Sequence, residues 1–373
     1  MKKVCFVLPS LVAGGAERVA VQVLSSLDAR RWDRTMYLFR HEGAFLANVP
    51  ASVRLASASG RSRAGHVLEL RRFIRETRPD LVVSFLSYLT VLTAVRTAAV
   101  GARVVFVLGT PITAFLEDAD YHWRRPIDRW VFARLTRVGC RLVDAIAATS
   151  GGVSDDLVRH FGVRGSVIRI VHNPIDFEEV SHSVAEPIDP ADQAAWGRPA
   201  IVAAGRLADA KNFPLLIEAM ALLRRRVPAT LFILGQGDEE PRLRQLIDAR
   251  GLNGIVRLCG FQRNPWKYIA RADVFVLTSH YEGFGNVLAE AMACGVPVVA
   301  TSSPGPLEIV RNEVDGLIVG EHTAAAVADA LEAVLTDHQR RASMAVAARE
   351  AAQRFALPAI AGQYDSWFSE LVA

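Results

Sequence analysis

Two glutamates bracket a glycine-containing turn in the carboxyl-terminal half of the sequence. Glu282 and Glu290 have seven residues between them, and Gly283 and Gly285 lie in that interval. The turn follows an apolar run and precedes a helix predicted to begin near Asn286. The N-terminal end of a helix presents unpaired N–H groups and a positive dipole, which suit a diphosphate. The pattern predicts that Glu290 accepts the hydroxyls of a ribose and that Glu282 approaches a sugar or its departing phosphate.

The backbone of this turn supplies most of the predicted contacts with the ligand. The residues expected to bind it are Gly283, Phe284, Gly285, Asn286, Val287 and Glu290. The alternative is that Glu282 only caps the helix and that Glu290 is a surface charge. Two carboxylates on opposite sides of a glycine-rich turn, after an apolar strand, favour the ligand site.

A second cluster follows the first strand of the carboxyl-terminal half. Gly205 and Arg206 come directly after that strand, and Lys211 follows five residues later. Arginine can hold phosphate oxygens through paired N–H donors, and lysine acts as a point charge. Either cation alone is usually a solvated surface residue, but their strand-end position favours an anionic ligand. Arg206 and Lys211 therefore predict a binding site for an anionic ligand.

A third glycine motif lies near the amino terminus. Gly14 and Gly15 follow the first predicted strand and precede a helix, so their backbone can approach the transferred sugar or its phosphate. A nicotinamide-binding loop is the competing interpretation. It requires the spacing G-x-G-x-x-G. The sequence here reads Ala13-Gly-Gly-Ala-Glu-Arg18, which disfavours that interpretation.

Together these segments resemble the E-x7-E region and accompanying motifs of retaining glycosyltransferases of family 4, which have the GT-B fold. Further matching segments are 12–18, 149–154, 173–176, 205–207, 211–212 and 235–237. The resemblance implies that Arg206 and Lys211 hold the diphosphate of a UDP-sugar co-substrate and that Glu282, Arg206 and Lys211 are the catalytic residues. It also implies that the leaving group is stabilised without a metal or other cofactor. The Gly-Gly-Ala-Glu-Arg opening resembles the branch that extends undecaprenyl-diphosphate-linked glycans.

The acceptor side is less well defined by the sequence. Many family members carry a histidine in the loop after the fourth strand of the first lobe, but the corresponding stretch 108–118 contains none. Thr110, Glu117, Asp118 or His122 can take its polar role, and an ordinary surface position is the alternative. Asp118 and Asp120 form a D-x-D pair, which we do not interpret as a metal site because it lies in the first lobe.

Basic residues at helical spacing mark the same lobe. They are Arg124, Arg125, Arg134, Arg137 and Arg141, with Trp123 and Trp130, and earlier Arg61, Arg63, Arg71, Arg72, Arg75 and Arg78. Such helices can rest on anionic lipid or hold a lipid diphosphate. The alternative is solvated arginine over a buried face of leucine, valine and phenylalanine. The resemblance favours a lipid-linked acceptor.

The elements that position these residues alternate between apolar strands and helices. Strands without polar alternation, separated by helices of ten or more residues, indicate parallel sheets buried on both faces. We expect an α/β protein with two Rossmann-like lobes facing each other across a cleft. The predicted organisation is an acceptor lobe at 1–180, a linker at 181–199, a donor lobe at 200–354 and a C-terminal helix at 355–373 that returns to the first lobe.

Composition narrows the class of protein further. Of 373 residues, 51% are hydrophobic and 22% charged, as in a globular enzyme of two domains. The four scattered cysteines favour a reducing cytosol, and the short apolar start predicts neither a signal peptide nor a membrane span. Residues 1–180 hold 25 Lys and Arg against 17 Asp and Glu, so the first lobe is basic. We expect a cytoplasmic bacterial protein that can lie peripherally on the plasma membrane.

The predicted function is retaining transfer of a hexose or N-acetylhexosamine from a UDP-sugar to a hydroxyl of a lipid-diphosphate-linked saccharide, in polysaccharide assembly. A glycosyltransferase that acts on a small soluble acceptor is the first alternative. A non-catalytic nucleotide-sugar-binding protein is an alternative of another class. Nucleic acid is not an expected partner, because the arginines are not interleaved with aromatic stacking residues.

Overall fold

The chain folds into two compact units, each built around one parallel sheet. The computed structural model describes residues 1–12, 14–60, 62–117, 126–196 and 199–373. The chain passes from the first unit to the second after Pro174 and returns to the first after Ala356.

The first unit contains, among the described residues, a sheet of seven parallel strands in the order β3-β2-β1-β4-β5-β6-β7. The strands are β1 (Lys2–Leu8), β2 (Trp32–Leu38), β3 (Arg54–Ser57), β4 (Leu81–Phe85), β5 (Arg103–Leu108), β6 (Ala145–Ala148) and β7 (Ile168–Ile170). The helices are α1 (Gly15–Ser26), α2 (Arg63–Thr77), α3 (Tyr88–Ala98), α4 (Ile112–Glu117), α5 (Pro126–Leu142) and α6 (Gly151–Phe161).

The second unit begins with two short helices, α7 (Phe177–Ser183) and α8 (Pro190–Gln193). Helix α7 overlaps the start of the predicted linker at 181–199, and α8 lies within it. Its described residues form a six-stranded parallel sheet in the order β10-β9-β8-β11-β12-β13. The strands are β8 (Ala200–Ala204), β9 (Thr230–Leu234), β10 (Val256–Leu258), β11 (Val274–Leu277), β12 (Val298–Thr301) and β13 (Gly316–Val319). The helices are α9 (Phe213–Leu223), α10 (Glu240–Ala249), α11 (Trp266–Ile269), α12 (Asn286–Ala293), α13 (Pro304–Ile309), α14 (Ala324–Thr336) and α15 (His338–Ala352).

Each sheet is covered on both faces. Successive residues of a strand point to opposite sides of a sheet. In β1, Val4 and Phe6 join one hydrophobic cluster while Cys5 and Val7 join another. In β8, alternate residues likewise enter two different clusters. Both faces of each sheet are covered by buried apolar side chains, which is why these strands read as continuous apolar runs. The predicted α/β architecture with two Rossmann-like parallel sheets is confirmed.

The last helix, α16 (Leu357–Leu371), packs on the sheet of the first unit. Phe368 is fully buried and lies edge-on to Phe6, with ring centroids 6.2 Å apart. Asp365 accepts a hydrogen bond from the Trp32 indole at 2.6 Å and also pairs with Arg31. An aromatic contact and an ion pair therefore fix a segment that is distant in sequence from the rest of its unit.

Candidate active site

The loops after β8 and β9 lie against each other at the carboxyl edge of the second sheet. The Leu207 amide donates to the Gln236 carbonyl at 2.9 Å. A Cβ on Gly235 would lie 1.9 Å from the Gly205 carbonyl oxygen, and one on Gly237 would lie 2.2 Å from that of Leu207. Any side chain at either glycine would collide with backbone. The glycines therefore let the two loops approach closely, which sets the position of Arg206 at this edge.

Lys211 and Glu282 meet at the same edge. Lys211 ends a short 3-10 turn after β8, and its ammonium group forms an ion pair with the Glu282 carboxylate. The Ser279 hydroxyl donates to the same carboxylate oxygen at 2.9 Å. The Lys211 and Glu282 side chains are only 23% and 12% exposed, so solvent screens the pair weakly. The structure thus brings two of the three predicted catalytic residues into contact.

Backbone and hydroxyl contacts tie this pair to the sheet. The Thr278 hydroxyl donates to the Lys211 carbonyl at 3.2 Å, and the His280 amide donates to the Ala210 carbonyl at 2.9 Å. The buried Thr301 hydroxyl donates to the Ser279 carbonyl at 2.9 Å. The segment after β11 and the Lys211 turn are therefore positioned as one piece.

Arg206, the third predicted catalytic residue, is solvent-exposed and forms no ion pair within the described part of the chain. Its guanidinium is therefore not neutralised by a neighbouring carboxylate, in contrast with the Lys211 ammonium. An arginine at a strand end without an internal carboxylate partner remains able to bind an anion from solution.

The predicted turn leads into α12 as the sequence analysis expected. Gly285 precedes the helix at φ +96, a left-handed conformation that favours glycine, and no side chain caps the helix. Asn286 and Val287 form the first turn. Phe284 is 1% exposed and packs edge-on against Phe355 at 5.1 Å, so its side chain belongs to the core and only its backbone can face a ligand.

Glu290 lies one turn further along α12 and is half-buried. The indole Nε1 of Trp266, in α11, donates to the Glu290 carboxylate at 3.0 Å. Trp266 is itself buried. This partner fixes one oxygen of the carboxylate, and the sequence analysis did not identify it because 24 residues separate the two positions.

Replacing Trp266 by phenylalanine is expected to raise the dissociation constant for UDP up to about tenfold, if Glu290 binds the ribose. Loss of one hydrogen bond to a charged group removes roughly 1.5 kcal/mol, and 1.4 kcal/mol corresponds to about tenfold in affinity. Isothermal titration calorimetry measures the change. Trp196→Phe is the matched control, since that indole donates to the Arg271 carbonyl at 3.3 Å instead. Equal affinities in the two variants would contradict the role of Trp266.

In the first unit, the predicted glycines Gly14 and Gly15 begin α1. Gly14 is the N-cap residue in an extended conformation. The Glu17 carboxylate folds back over this end of the helix, so that a Cβ on Gly14 would lie 2.2 Å from its Oε2 atom. Glu17 is buried, and burial raises the pKa of its carboxyl group although its own backbone amide opposes the shift. Glu17 was not singled out in the sequence, yet it occupies this helix end.

Replacing Glu17 by glutamine is expected to raise the thermal unfolding midpoint near pH 7 and to leave it nearly unchanged in acid. Because the folded-state pKa of Glu17 is above its unfolded value, its stabilising contribution is complete below the unfolded pKa and is lost as the pH rises through the folded pKa. The neutral amide avoids that loss. Thermal unfolding from pH 4 to 8 measures the difference, with the exposed Glu76→Gln as control. A difference that does not change with pH would overturn this explanation.

Two of the predicted acceptor residues, Thr110 and Glu117, lie in the described part of the chain. Thr110 and Glu117 are exposed at the two ends of the short segment that includes α4. His122, Asp118 and Asp120 lie outside the described residues. The start of α4 is held by buried Asp156 of α6, which accepts from the Ile112 amide at 2.7 Å and from the Thr113 hydroxyl.

The described ranges contain neither a candidate metal site nor a candidate membrane-spanning helix. Outside the stretches 13, 61, 118–125 and 197–198, no group of three or more His, Cys, Asp and Glu side chains could hold a metal ion. Within those same limits, no helix is both long and apolar enough to span a bilayer.

Comparison with known proteins identifies the class that this fold and site define. Residues 13–179 match the model of glycosyltransferase family 4, and residues 186–351 match that of glycosyl transferases group 1. The solved structure of Anabaena HepE in complex with UDP-glucose is similar, with a TM-score of 0.80 at 22% identity over 99% of this chain and 100% of that one. The two halves of the chain are therefore a glycosyltransferase family 4 domain and a glycosyl transferases group 1 domain, and the chain has the GT-B fold.

Two curated relatives differ in the acceptor that their names describe. A Campylobacter jejuni N-acetylgalactosamine-N,N'-diacetylbacillosaminyl-diphospho-undecaprenol 4-alpha-N-acetylgalactosaminyltransferase is 34% identical over 57% of this chain and 56% of its own length. A D-inositol 3-phosphate glycosyltransferase from Xylanimonas cellulosilytica is 32% identical over 57% of this chain and 53% of its own length. The chain thus spans about half the length of the curated relatives it matches.

Proposed function

We propose that this glycosyltransferase moves a hexose or N-acetylhexosamine from a UDP-sugar to a hydroxyl of a lipid-diphosphate-linked saccharide, with retention of the anomeric configuration. The observation that carries the proposal is the contact between Lys211 and Glu282 beside the uncapped start of α12. It places a cation, a carboxylate and helix N–H groups at one sheet edge.

The charges of Lys211 and Glu282 suit different parts of the donor. A carboxylate beside a diphosphate would repel it, but the Lys211 ammonium compensates the charge of Glu282. An ammonium group has three donors, so Lys211 can keep Glu282 and still bind a phosphate oxygen. Glu282 then accepts a hydroxyl of the transferred sugar, and Ser279 holds the carboxylate in orientation.

The departing UDP carries the charge that develops in the reaction. Lys211, Arg206 and the first amides of α12 supply positive field where the diphosphate oxygens lie, which lowers the barrier without a metal ion. Glu290, held by Trp266, accepts the ribose hydroxyls. Gly205, Gly283 and Gly285 are the proposed backbone contacts of the donor.

Retention follows if the acceptor attacks on the face from which UDP leaves. An oxygen of the departing phosphate then takes the acceptor proton, the bond from the anomeric carbon to the UDP oxygen breaks, and the bond to the acceptor oxygen forms on the same face. No separate enzymatic base is needed in this scheme. Gly14 and Gly15 are the proposed backbone contacts of the transferred sugar, and Thr110, Glu117 and His122 are the proposed acceptor contacts.

Two observations bear on the acceptor. The name of the Campylobacter relative describes a diphospho-undecaprenol substrate, which supports a lipid-linked saccharide as the acceptor. The name of the Xylanimonas relative describes a soluble inositol phosphate, which supports the second candidate, transfer to a small soluble acceptor. Matched assays with an undecaprenyl-diphosphate-linked sugar and with inositol phosphate distinguish the two.

A panel of nucleotide-sugars tests the donor assignment. A ligand at one hundred times its dissociation constant stabilises a protein by about 2.7 kcal/mol, so the correct donor raises the unfolding temperature measurably. The same donor should release UDP in the presence of acceptor, with or without EDTA. Stabilisation by UDP-sugars without any release or transfer would instead identify a non-catalytic binding protein. Stabilisation only by another nucleotide would overturn the UDP assignment.

A further inference from the structure

A row of large apolar side chains lies on the outward face of α5. Six of the seventeen exposed large hydrophobic residues in the described part of the chain belong to this one helix. They recur at helical spacing and are 39–60% exposed: Ile127, Trp130, Val131, Leu135, Val138 and Leu142. We call this row the apolar stripe.

The opposite face of α5 fills the core. Thr136 and Cys140 are buried, and Gly139 comes within contact distance of Leu89 of α3. Leu135 and Val138 are instead exposed. The interpretation that this helix buries its leucine and valine residues beneath solvated arginines is therefore wrong for these two residues. The buried face of this helix therefore consists of small residues, and its outward face is apolar. An exposed apolar face of this kind marks a surface that a binding partner can cover.

Arginines follow one edge of the apolar stripe. Arg134, Arg137 and Arg141 lie on the same side of the helix, and none of them forms an ion pair with a carboxylate among the described residues. Arg134 stacks over the Trp130 ring, with 4.9 Å from its Cζ atom to the ring centroid. The edge of the stripe thus carries uncompensated positive charge.

A small cavity adjoins the end of this edge. It measures about 280 Å³ and is lined by Cys140, Arg141, Gly162, Val163, Arg164 and Val167. The Arg141 Nε donates to the Gly162 carbonyl at 3.2 Å, which keeps its guanidinium at the cavity. Two arginines around a small cavity complement an anionic headgroup, whereas a second copy of this basic helix would be repelled.

We propose that the apolar stripe of α5 docks this protein on an anionic lipid bilayer. The apolar side chains enter the interface between headgroups and acyl chains, Trp130 lies at the level of the headgroups, and the arginines bind lipid phosphates. The inference deepens the proposed function and rests on it in one respect, because a lipid-linked acceptor is presented at a membrane surface.

Vesicle sedimentation of the full chain tests this docking. The probes are vesicles of phosphatidylglycerol with phosphatidylcholine and vesicles of phosphatidylcholine alone. We expect binding to the anionic vesicles only, decreasing as salt rises. The stripe variant Trp130→Ser/Leu135→Ser/Val138→Ser should bind at least tenfold more weakly, and Arg134→Gln/Arg141→Gln about tenfold or more.

Two matched controls separate the stripe from general surface effects. Leu222→Ser/Val314→Ser/Val346→Ser removes three exposed apolar residues of the second unit, and Arg72→Gln/Arg159→Gln removes the same net charge at arginines that pair with neighbouring carboxylates. Both controls should bind within twofold of wild type. UDP affinity should be unchanged in the stripe variant, which separates failure of docking from failure of the proposed function.

Several outcomes would overturn the proposal. They are equal vesicle binding by the stripe variant and wild type, equal binding to neutral vesicles, or a wild-type dimer in solution that the stripe variant converts to a monomer. Quenching by brominated lipids gives independent support: wild-type tryptophan fluorescence should be quenched more strongly than that of Trp130→Phe.

Discussion

Replacing Lys211 by methionine is expected to lower kcat/KM for sugar transfer by about 100- to 1,000-fold. Removal of one positioned group that stabilises developing negative charge typically costs a factor of this size. Lys211 is only 23% exposed and is ion-paired, so solvent cannot readily replace it. UDP-release assays at varied donor concentration measure the effect.

The control for this variant is Arg244→Met, which removes an exposed cation of the same unit that pairs with Glu240 on its own helix. It should retain full activity. Circular dichroism should show unchanged secondary structure in both variants. Activity of Lys211→Met within threefold of wild type would remove the lysine from the proposed chemistry and leave its ion pair as a structural contact.

Replacing Glu290 by alanine is expected to raise the dissociation constant for UDP by about 10- to 100-fold. Hydrogen bonds to a charged group contribute roughly 1.5–3 kcal/mol, and each 1.4 kcal/mol corresponds to about tenfold in affinity. The effect should exceed that of Trp266→Phe, because tryptophan acts only through the carboxylate that it holds. Calorimetric titration with UDP measures both.

A comparison with uracil nucleotides that lack ribose hydroxyls sharpens this second test. Wild type should bind 2′-deoxy-UDP more weakly than UDP, whereas Glu290→Ala should bind the two equally. The exposed Glu313→Gln is the control and should behave as wild type. A Glu290→Ala variant that keeps the full preference for UDP would show that this carboxylate does not contact the ribose.

The sequence analysis succeeded where apolar runs are continuous. The first predicted strand, which precedes Gly14 and Gly15, is β1, observed from Lys2 to Leu8. It did not identify β2, because Asp33 and Arg34 interrupt the apolar run. Arg34 is nevertheless buried, since its guanidinium donates to the Ser25 and Leu27 carbonyls at 2.6 and 3.1 Å. A charged residue satisfied by distant backbone leaves no periodic signal.

The candidate site shows the same division between local and distant information. Gly285, Glu282 and Glu290 lie in one segment, so their spacing around a turn is legible in the sequence. Trp266 reaches Glu290 from another helix, and Asp156 holds α4 from a position 44 residues away. Such partners come together only through the order of strands in the sheet. The position of Glu17 over its own helix end was also not predicted, because a glutamate in a first turn commonly points to solvent.

The face of α5 that is buried could not be predicted from the helical pattern alone. The spacing of residues 127–142 fits a helix with either face inward. Burial of Gly139 and Cys140 instead of the larger apolar residues decides the orientation. Small residues allow α5 to approach α3 closely, since a Cβ on Gly139 would lie 2.9 Å from Leu89, and the leucine and valine side chains are then left outside.

Sugar transfer with retention is tested most directly by nuclear magnetic resonance analysis of the product. The protein is incubated with the UDP-sugar selected by the donor panel and with an undecaprenyl-diphosphate-linked acceptor, and the configuration at the new glycosidic bond is read from the anomeric proton coupling. We expect an α-linked product from the α-linked donor, formed by wild type and reduced to trace amounts by Lys211→Met. A β-linked product, or UDP-sugar left intact by wild type in the presence of acceptor, would contradict the account.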